Sequence, residues 1–354
     1  MVHANIPVAV LGATGAVGQR FVQLLAGHPW FTLAAVAASE RSAGRSYGEA
    51  CRWVVPGDPP PAAAALTVAP LAPDLPARIV FSALPAEVAR EAEPRFAAAG
   101  YLVCSNASAW RYEPDVPLLI PEVNAAHLAL VDRQRALRGW PGLIVTSPNC
   151  TTTGIALPLK PLDQAFGLRS AVAVSLQAVS GAGYPGIPSL DILDNVVPYI
   201  GGEEEKIERE TRILLGTITT GHPPERVKAP LAVSAHANRV PVVDGHTVCL
   251  SLGFEHPPTV PQAIQALAEF TGPPAVHNLP SAPARPVVVR PEPDRPQPRR
   301  DRDAAHGMAV SVGRVRPCPL LDLRLVSVSH NTLRGAAGGS ILNAELLVAC
   351  GYVS

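Results

Sequence analysis

The chain lacks a CxxC pair, a long apolar run and an excess of either charge, and each lack excludes a class of function. Its six cysteines, at 51, 104, 150, 249, 318 and 350, are too scattered for a zinc cluster or a thioredoxin-like dithiol. No stretch approaches the roughly 18 apolar residues of a membrane span. The N-terminal segment MVHANIPVAVLG has no basic region leading into a long apolar one, so no signal peptide is expected. Scattered cysteines without such a leader suit a reducing cytoplasm. Lys plus Arg total 29, matched by 29 Asp plus Glu, so the chain has no overall attraction to nucleic acid or an anionic membrane. Aromatics are only 5% of residues, and the cores must be built from Ala, Val, Leu and Ile. No internal repeat is present.

What remains is a 354-residue chain with 47% hydrophobic residues, long enough for two cores. It opens as strand, glycine turn, helix: PVAVL (7–11), GATGAVG (12–18), then QRFVQLLAGHP, ended by Gly27 and Pro29. Apolar runs follow at FTLAAVAAS (31–39), ARIVFSALP (77–85), YLVCS (101–105) and GLIVT (142–146), with a helical pattern at 87–100. This alternation predicts an α/β, Rossmann-type domain with a parallel sheet. After Cys150 the texture changes to longer strands, RSAVAVSLQAVS, APLAVSAHA, RVPVVDGHTVCLSLGFE and GMAVSVGRVR, interrupted by one helix at 201–216. A second, α+β domain on a mixed sheet is expected. The expected division is 1–149, completed by a small-residue C-terminal helix at 331–354, and 150–330. Prolines in PARPVVVRPEPDRPQPRRDRD (283–303) predict a loop.

GATGAVG carries the first chemistry. Gly12 allows the tight turn, Gly15 lets a pyrophosphate approach the backbone, and Gly18 lets the helix pack on the strand. The helix N-terminus then faces the anion, next to Thr14, Ala16 and Val17. At the end of the second strand, where NAD enzymes carry an acid, stands Ser39-Glu40-Arg41-Ser42. A guanidinium flanked by two hydroxyls suits a 2′-phosphate and favours NADP.

The cysteine of VTSPNCTTTG (145–154) lies between an apolar strand and a helix-capable stretch. From this stretch alone two readings stay open. It is a small core residue, or a nucleophile whose thiolate is stabilised by N–H groups at a helix start. Downstream, Gln177 lies in SLQAVSGAGYPG (175–186). Arg239 and His246 lie in NRVPVVDGHT (238–247), where they are expected to bracket a short strand and a turn. Taken singly, such residues are most often structural or solvated. Glu203 and Lys206, at i and i+3, read equally well as an exposed ion pair.

Together, GATGAVGQRF, HPWFTLAAVAASERSAG, SNASAWR, PLLIPEVN, SPNCTTTG, SLQAVSGAGYPG, GGEEEKIERET, ANRVPVVDGH and HNTLRGAAGGSILNAELL span nearly the whole chain. They resemble the aspartate-β-semialdehyde dehydrogenase family, closest to its archaeal and fungal type. The resemblance implies NADPH-dependent reductive dephosphorylation of L-β-aspartyl phosphate to L-aspartate β-semialdehyde, through a cysteine thioester. This reaction serves lysine, threonine and methionine biosynthesis. It implies Cys150 as nucleophile, His246 as acid/base with a near-neutral pKa, Gln177 orienting the acyl group, and Asn149 with the Cys150 N–H at the oxyanion. Arg239 would grip the substrate carboxylate, Glu203 its amino group, and Arg111 with Lys206 the phosphate. Gly181 and Asn331 would lie by the cofactor. No metal is implied, and a homodimer or homotetramer is. Malonyl-CoA reductase and N-acetyl-γ-glutamyl-phosphate reductase use similar parts. A nonenzymatic NADP-binding sensor on the same fold is the alternative of a different class.

If Arg41 reads the 2′-phosphate, Arg41→Ala weakens NADP far more than NAD in a fluorescence titration. Equal losses for both cofactors would remove Arg41 from that role.

Overall fold

The apolar run at the chain start forms β1 (Ile6–Leu11), and like runs form β2 (Phe31–Ala37), β3 (Val68–Ala69), β4 (Ile79–Ser82), β5 (Leu102–Ser105) and β6 (Leu143–Thr146). This computed structural model describes residues 5–221 and 223–353. The first four residues of MVHANIPVAVLG lie outside them. The six strands form one sheet in the order β3-β2-β1-β4-β5-β6, with every pair parallel. β4, β5 and β6 are buried at every residue, as strands covered on both faces must be. The strand order reverses beside β1, which opens a crevice at the strand C-termini. Gly12 lies there with φ +75°, and a Cβ on it would sit 2.8 Å from the Ala83 carbonyl oxygen. A Cβ on Gly18 would sit 2.2 Å from the Gly12 oxygen. Both positions therefore exclude any side chain.

The remaining strands are β7 (Leu168–Gln177), β8 (Thr217–Ile218), β9 (Arg226–Val227), β10 (Ala232–Arg239), β11 (His246–Phe254), β12 (Val287–Arg290), β13 (Val310–Pro317) and β14 (Leu323–Ser329). β8 and β9 form a separate ribbon. The others make a mixed sheet in the order β10-β7-β11-β14-β13-β12. β10 runs parallel to β7 and β12 to β13, while the central pairings are antiparallel. Burial alternates along β7, β10 and β11, because one sheet face packs on helices and the other stays open. The helix Cys150–Phe166 places Ile155, Leu159 and Leu162 in the same core as Leu250, Leu325 and Val312 of that sheet.

Four features differ from the sequence reading. β14 and the helix Val260–Glu269 were not anticipated. No strand separates Arg239 from His246; Arg239 ends β10 and His246 begins β11. The proline-rich stretch 283–303 holds β12 and a helical turn, Pro298–Asp301. Its organiser is Asp301, which is fully buried. Asp301 pairs with Arg290 at 2.9 Å, with Arg295 on both guanidinium arms, and accepts the Gln297 N–H at 2.6 Å. Prolines barred a long helix, but a buried carboxylate with several donors fixes a loop as firmly.

The chain returns to the first sheet at its end. Ile341, Leu342, Leu346 and Leu347 of the helix Gly338–Ala349 share a core with Val8, Val10, Phe21 and Cys104. Before that helix the chain makes a π turn, Leu333–Ala337, with Gly335 N–H donating to His330 O at 3.1 Å. Arg334 in this turn makes a two-pronged bridge to Glu122, at 2.8 and 2.6 Å, with both side chains 1% exposed. Removing one member leaves a buried charge unpaired. Glu122→Ala should therefore cost about 3–5 kcal/mol of stability, read as a lower urea midpoint at unchanged slope. A loss under about 1 kcal/mol would mean that the turn relaxes to hydrate Arg334.

Candidate active site

Asn149 ends the loop after β6 and caps the helix Cys150–Phe166, its Oδ1 accepting from Thr151 N–H at 2.9 Å and Thr152 N–H at 3.2 Å. The cap puts Cys150 on the first helical residue, half-buried, where N–H groups and the helix dipole favour an anion. On the far side the π turn presses close. A Cβ on Gly335 would lie 2.6 Å from the Cys150 Cβ, so only glycine fits there.

The mixed sheet supplies three partners from one end. Arg239 is paired with Gln177 across β10 and β7. His246 starts β11, one residue before the pair Thr247–Leu176 on the other side of β7. Residues 62 or more apart in sequence thus become neighbours through strand register. The Ala178 peptide orients two of them. Its carbonyl accepts from Arg239 Nη1 at 2.8 Å, and its N–H donates to His246 Nδ1 at 3.0 Å. Since a backbone N–H can only donate, Nδ1 is the acceptor nitrogen and the ring proton sits on Nε2. That nitrogen lies 3.2 Å from Cys150 Sγ.

The helix Glu203–Leu214 supplies the acidic side. Glu203 accepts from Asn149 Nδ2 at 2.8 and 3.1 Å, from Gln177 Nε2 at 3.3 Å and from Lys206 Nζ at 3.2 Å. Arg111 comes from the loop after β5. It donates to Glu210 at 3.0 Å and to the Asn106 carbonyl at 2.9 Å. The Nε atoms of Arg111 and Arg239 are buried without a partner, in side chains that the protein otherwise holds tightly. A cleft of about 440 Å³ opens beside Lys206, lined also by Arg90, Ser108, Tyr112 and Arg209.

The electrostatics describe a neutral resting pair. Burial first, then Glu203, pushes the Cys150 thiol up to about 11, against the pull of Arg111, the Thr151 N–H and Arg239. Burial, then the nearby Arg239 and His330, pushes His246 down to about 3. The near-neutral titration expected of His246 is not what this environment produces. A desolvated imidazole beside a guanidinium stays uncharged.

The cofactor side fits a dinucleotide. The helix Ala16–Leu25 has no side-chain cap and no acidic residue in its first turn, so its N–H groups are open to a pyrophosphate. Gly15 has room above it, and a Cβ there would approach nothing nearer than 3.5 Å. Thr14, Ala16 and Val17 lie at this turn, and Ser39 and Arg41 are exposed beyond β2 with Ser42 next to them.

Three of the expected site residues are tied closely to the protein itself. The Asn149 side chain is engaged as cap and as donor to Glu203. Asn331 ties Gly245 N–H, at 2.9 Å, to the Ser180 hydroxyl, at 2.8 Å. Gly181 lies against Arg239 and His246, since a Cβ on it would be 2.7 Å from Arg239 Nη1 and 3.2 Å from His246 Nε2. Glu210 and Gly335 escaped the sequence reading. Glu210 shares a helix face with Glu203, a signal that also marks a solvated charged face.

A family model described as semialdehyde dehydrogenase, NAD binding domain, matches residues 7–131, and one described as semialdehyde dehydrogenase, dimerisation domain, matches 159–334. The chain belongs to the aspartate-semialdehyde dehydrogenase family. Relatives of that name include one from Archaeoglobus fulgidus, 52% identical over 96% of this chain and 97% of that protein. Another, from Cryptococcus neoformans, is 48% identical over 99% and 98%. The crystal structure of aspartate semialdehyde dehydrogenase with NADP from Candida albicans superposes with a TM-score of 0.90 at 43% identity, covering 99% of this chain and all of that one. The Vibrio cholerae enzyme II complexed with ASA gives 0.76 at 25% identity, covering 97% and 98%. Among the described residues no helix is long and apolar enough to cross a membrane, and no His, Cys, Asp or Glu cluster is placed to hold a metal.

For this aspartate-semialdehyde dehydrogenase family member, the pKa directions set the reactivity of the free protein. Iodoacetamide labelling of Cys150 should climb with pH from about 6 to about 10, because a raised thiol pKa near 11 releases thiolate only as pH rises towards it. His246, titrating near 3, adds no step near neutrality. A labelling plateau between about pH 6 and pH 8 would reveal a preformed thiolate–imidazolium pair instead.

Proposed function

We propose that this protein catalyses the NADPH-dependent reductive dephosphorylation of L-β-aspartyl phosphate to L-aspartate β-semialdehyde. The observation that carries the reading is the pair of buried guanidinium groups, Arg239 and Arg111, both near enough to lower the Cys150 pKa. A small phosphorylated amino acid brings two separated anions, and this site offers two separated cations. Residues 1–149 with 331–354 would hold the cofactor, and 150–330 would carry catalysis and the dimer contact.

In this reading Arg239 binds the substrate carboxylate, Glu203 its ammonium, and Arg111 with Lys206 the phosphate. Gln177 steadies the acyl group. Cys150 Sγ attacks the acyl carbon, the bond to the phosphate oxygen breaks, and the departing phosphate takes up the thiol proton as the thioester forms. The Cys150 N–H meets the oxyanion. NADPH, when bound, supplies the hydride. His246 donates its Nε2 proton as a hydrogen bond, first to sulfur and then to the oxygen of the thiohemiacetal. Collapse breaks the C–S bond and returns the thiolate. The substrate ammonium would also offset Glu203, the charge that most opposes thiolate formation after burial. The relatives described with NADP and with ASA support both ligands. The open face of the mixed sheet is the dimer contact in this reading, giving a homodimer or homotetramer in a reducing cytoplasm.

The test runs the reaction in the oxidative direction, with aspartate semialdehyde, NADP and inorganic phosphate. Phosphate-dependent NADPH formation is expected. Arg239→Ala should raise KM for the semialdehyde about 10- to 100-fold, as the loss of one charge-assisted contact, and alter KM for phosphate less. Ready reduction of malonyl-CoA without phosphate-dependent oxidation of the semialdehyde would overturn the proposal.

A further inference from the structure

Glu210 is a carboxylate with no exposed surface, two helical turns from Glu203 on the same helix. Nothing in the reaction scheme requires it, yet both of its oxygens are engaged. Its Oε1 accepts from Arg111 Nη1 at 3.0 Å and from the Tyr112 hydroxyl at 3.2 Å. Its Oε2 accepts the backbone N–H of Asn149 at 2.6 Å. Tyr112 is itself held from outside, with the Arg209 guanidinium 3.7 Å from its ring centre.

These bonds tie one helix to the ends of two neighbouring strands. Arg111 and Tyr112 follow β5 and Asn149 follows β6, paired strands of the parallel sheet, while Glu210 lies on the helix Glu203–Leu214, which is bonded to β10 of the mixed sheet. One carboxylate therefore braces the guanidinium assigned to phosphate against the first turn of the Cys150 helix. With Nη1 on Glu210 and Nη2 on the Asn106 carbonyl, Nε is left without a partner. A charge buried this deeply persists only when paired, so Glu210 and Arg111 define each other's orientation.

We propose that Glu210 is a positioning residue for phosphate recognition, acting through Arg111 and through the Asn149 N–H rather than by touching substrate. The inference rests on the reading of Arg111 as the phosphate ligand. Aspartate would be too short to span both partners. Glutamine keeps the length but offers one acceptor where two are used, and turns a donor towards a donor.

The experiment compares Glu210→Gln with the unaltered enzyme in phosphate-dependent semialdehyde oxidation. We expect KM for phosphate to rise about 10- to 100-fold, with NADPH affinity and KM for aspartate semialdehyde within about twofold. The pairing with Arg111 is read from a double-mutant cycle. Arg111→Ala with Glu210→Gln should raise phosphate KM no further than Arg111→Ala alone. Unchanged phosphate KM in Glu210→Gln, or additive losses in the cycle, overturns the proposal. If Glu210→Gln fails to bind NADPH or to unfold cooperatively, Arg111→Lys decides. A single ammonium cannot serve Glu210, Asn106 and phosphate together, so phosphate KM should rise as in Arg111→Ala, and normal phosphate KM would overturn the shared-guanidinium account. An unaltered enzyme that shows no phosphate-dependent activity at all would instead overturn the parent reading of the site.

Discussion

The start of the Cys150 helix is held by two carboxylates, and the rest of the site is arranged around that grip. Glu203 takes the Asn149 side chain and Glu210 takes its backbone N–H. Two buried acids so close to a nucleophilic thiol are unfavourable unless cations accompany them. Lys206 and Arg111 are those cations. In the proposed function the same two cations also meet the phosphate, so the groups that stabilise the folded site would also read the substrate.

The mixed sheet has a second constraint to meet. In that sheet β7 ends level with the end of β10 on one side and the start of β11 on the other, so that Gln177, Arg239 and His246 converge. The Ala178 peptide completes this alignment by holding the guanidinium with its carbonyl and the imidazole with its N–H. It leaves His246 as a hydrogen-bond donor towards sulfur in the resting protein. Desolvation keeps both members of the Cys–His pair neutral, so reactivity has to arrive with the substrate's own charges.

Much of the first sheet was legible, because short, doubly buried parallel strands leave continuous apolar runs and the glycine turn has a steric cause at Gly12 and Gly18. The proline-rich stretch 283–303 was misread as loop alone. Its order comes from Asp301 meeting Arg290, Arg295 and the Gln297 N–H, contacts that composition cannot display. Glu210 was invisible for a related reason. In GGEEEKIERET an acid that anchors the site and an acid that faces water look alike until the helix is placed. The pKa of His246 was set by burial and by Arg239 and His330, none of them neighbours in sequence.

The sequence by itself determined the family, the α/β class, the glycine turn and the list of reactive side chains, since each depends on local pattern or on motifs whose order survives in the chain. Only the tertiary structure decided how those side chains are charged and what they hold. It spent the Asn149 amide on a cap and on Glu203, moved Asn331 to a brace between Gly245 and Ser180, and pressed Gly335 onto Cys150. The physical reason is that desolvation and hydrogen-bond pairing are properties of a place. A sequence names the donors and acceptors, but which of them meet, and which remain free for a ligand, follows only from strand register and helix packing.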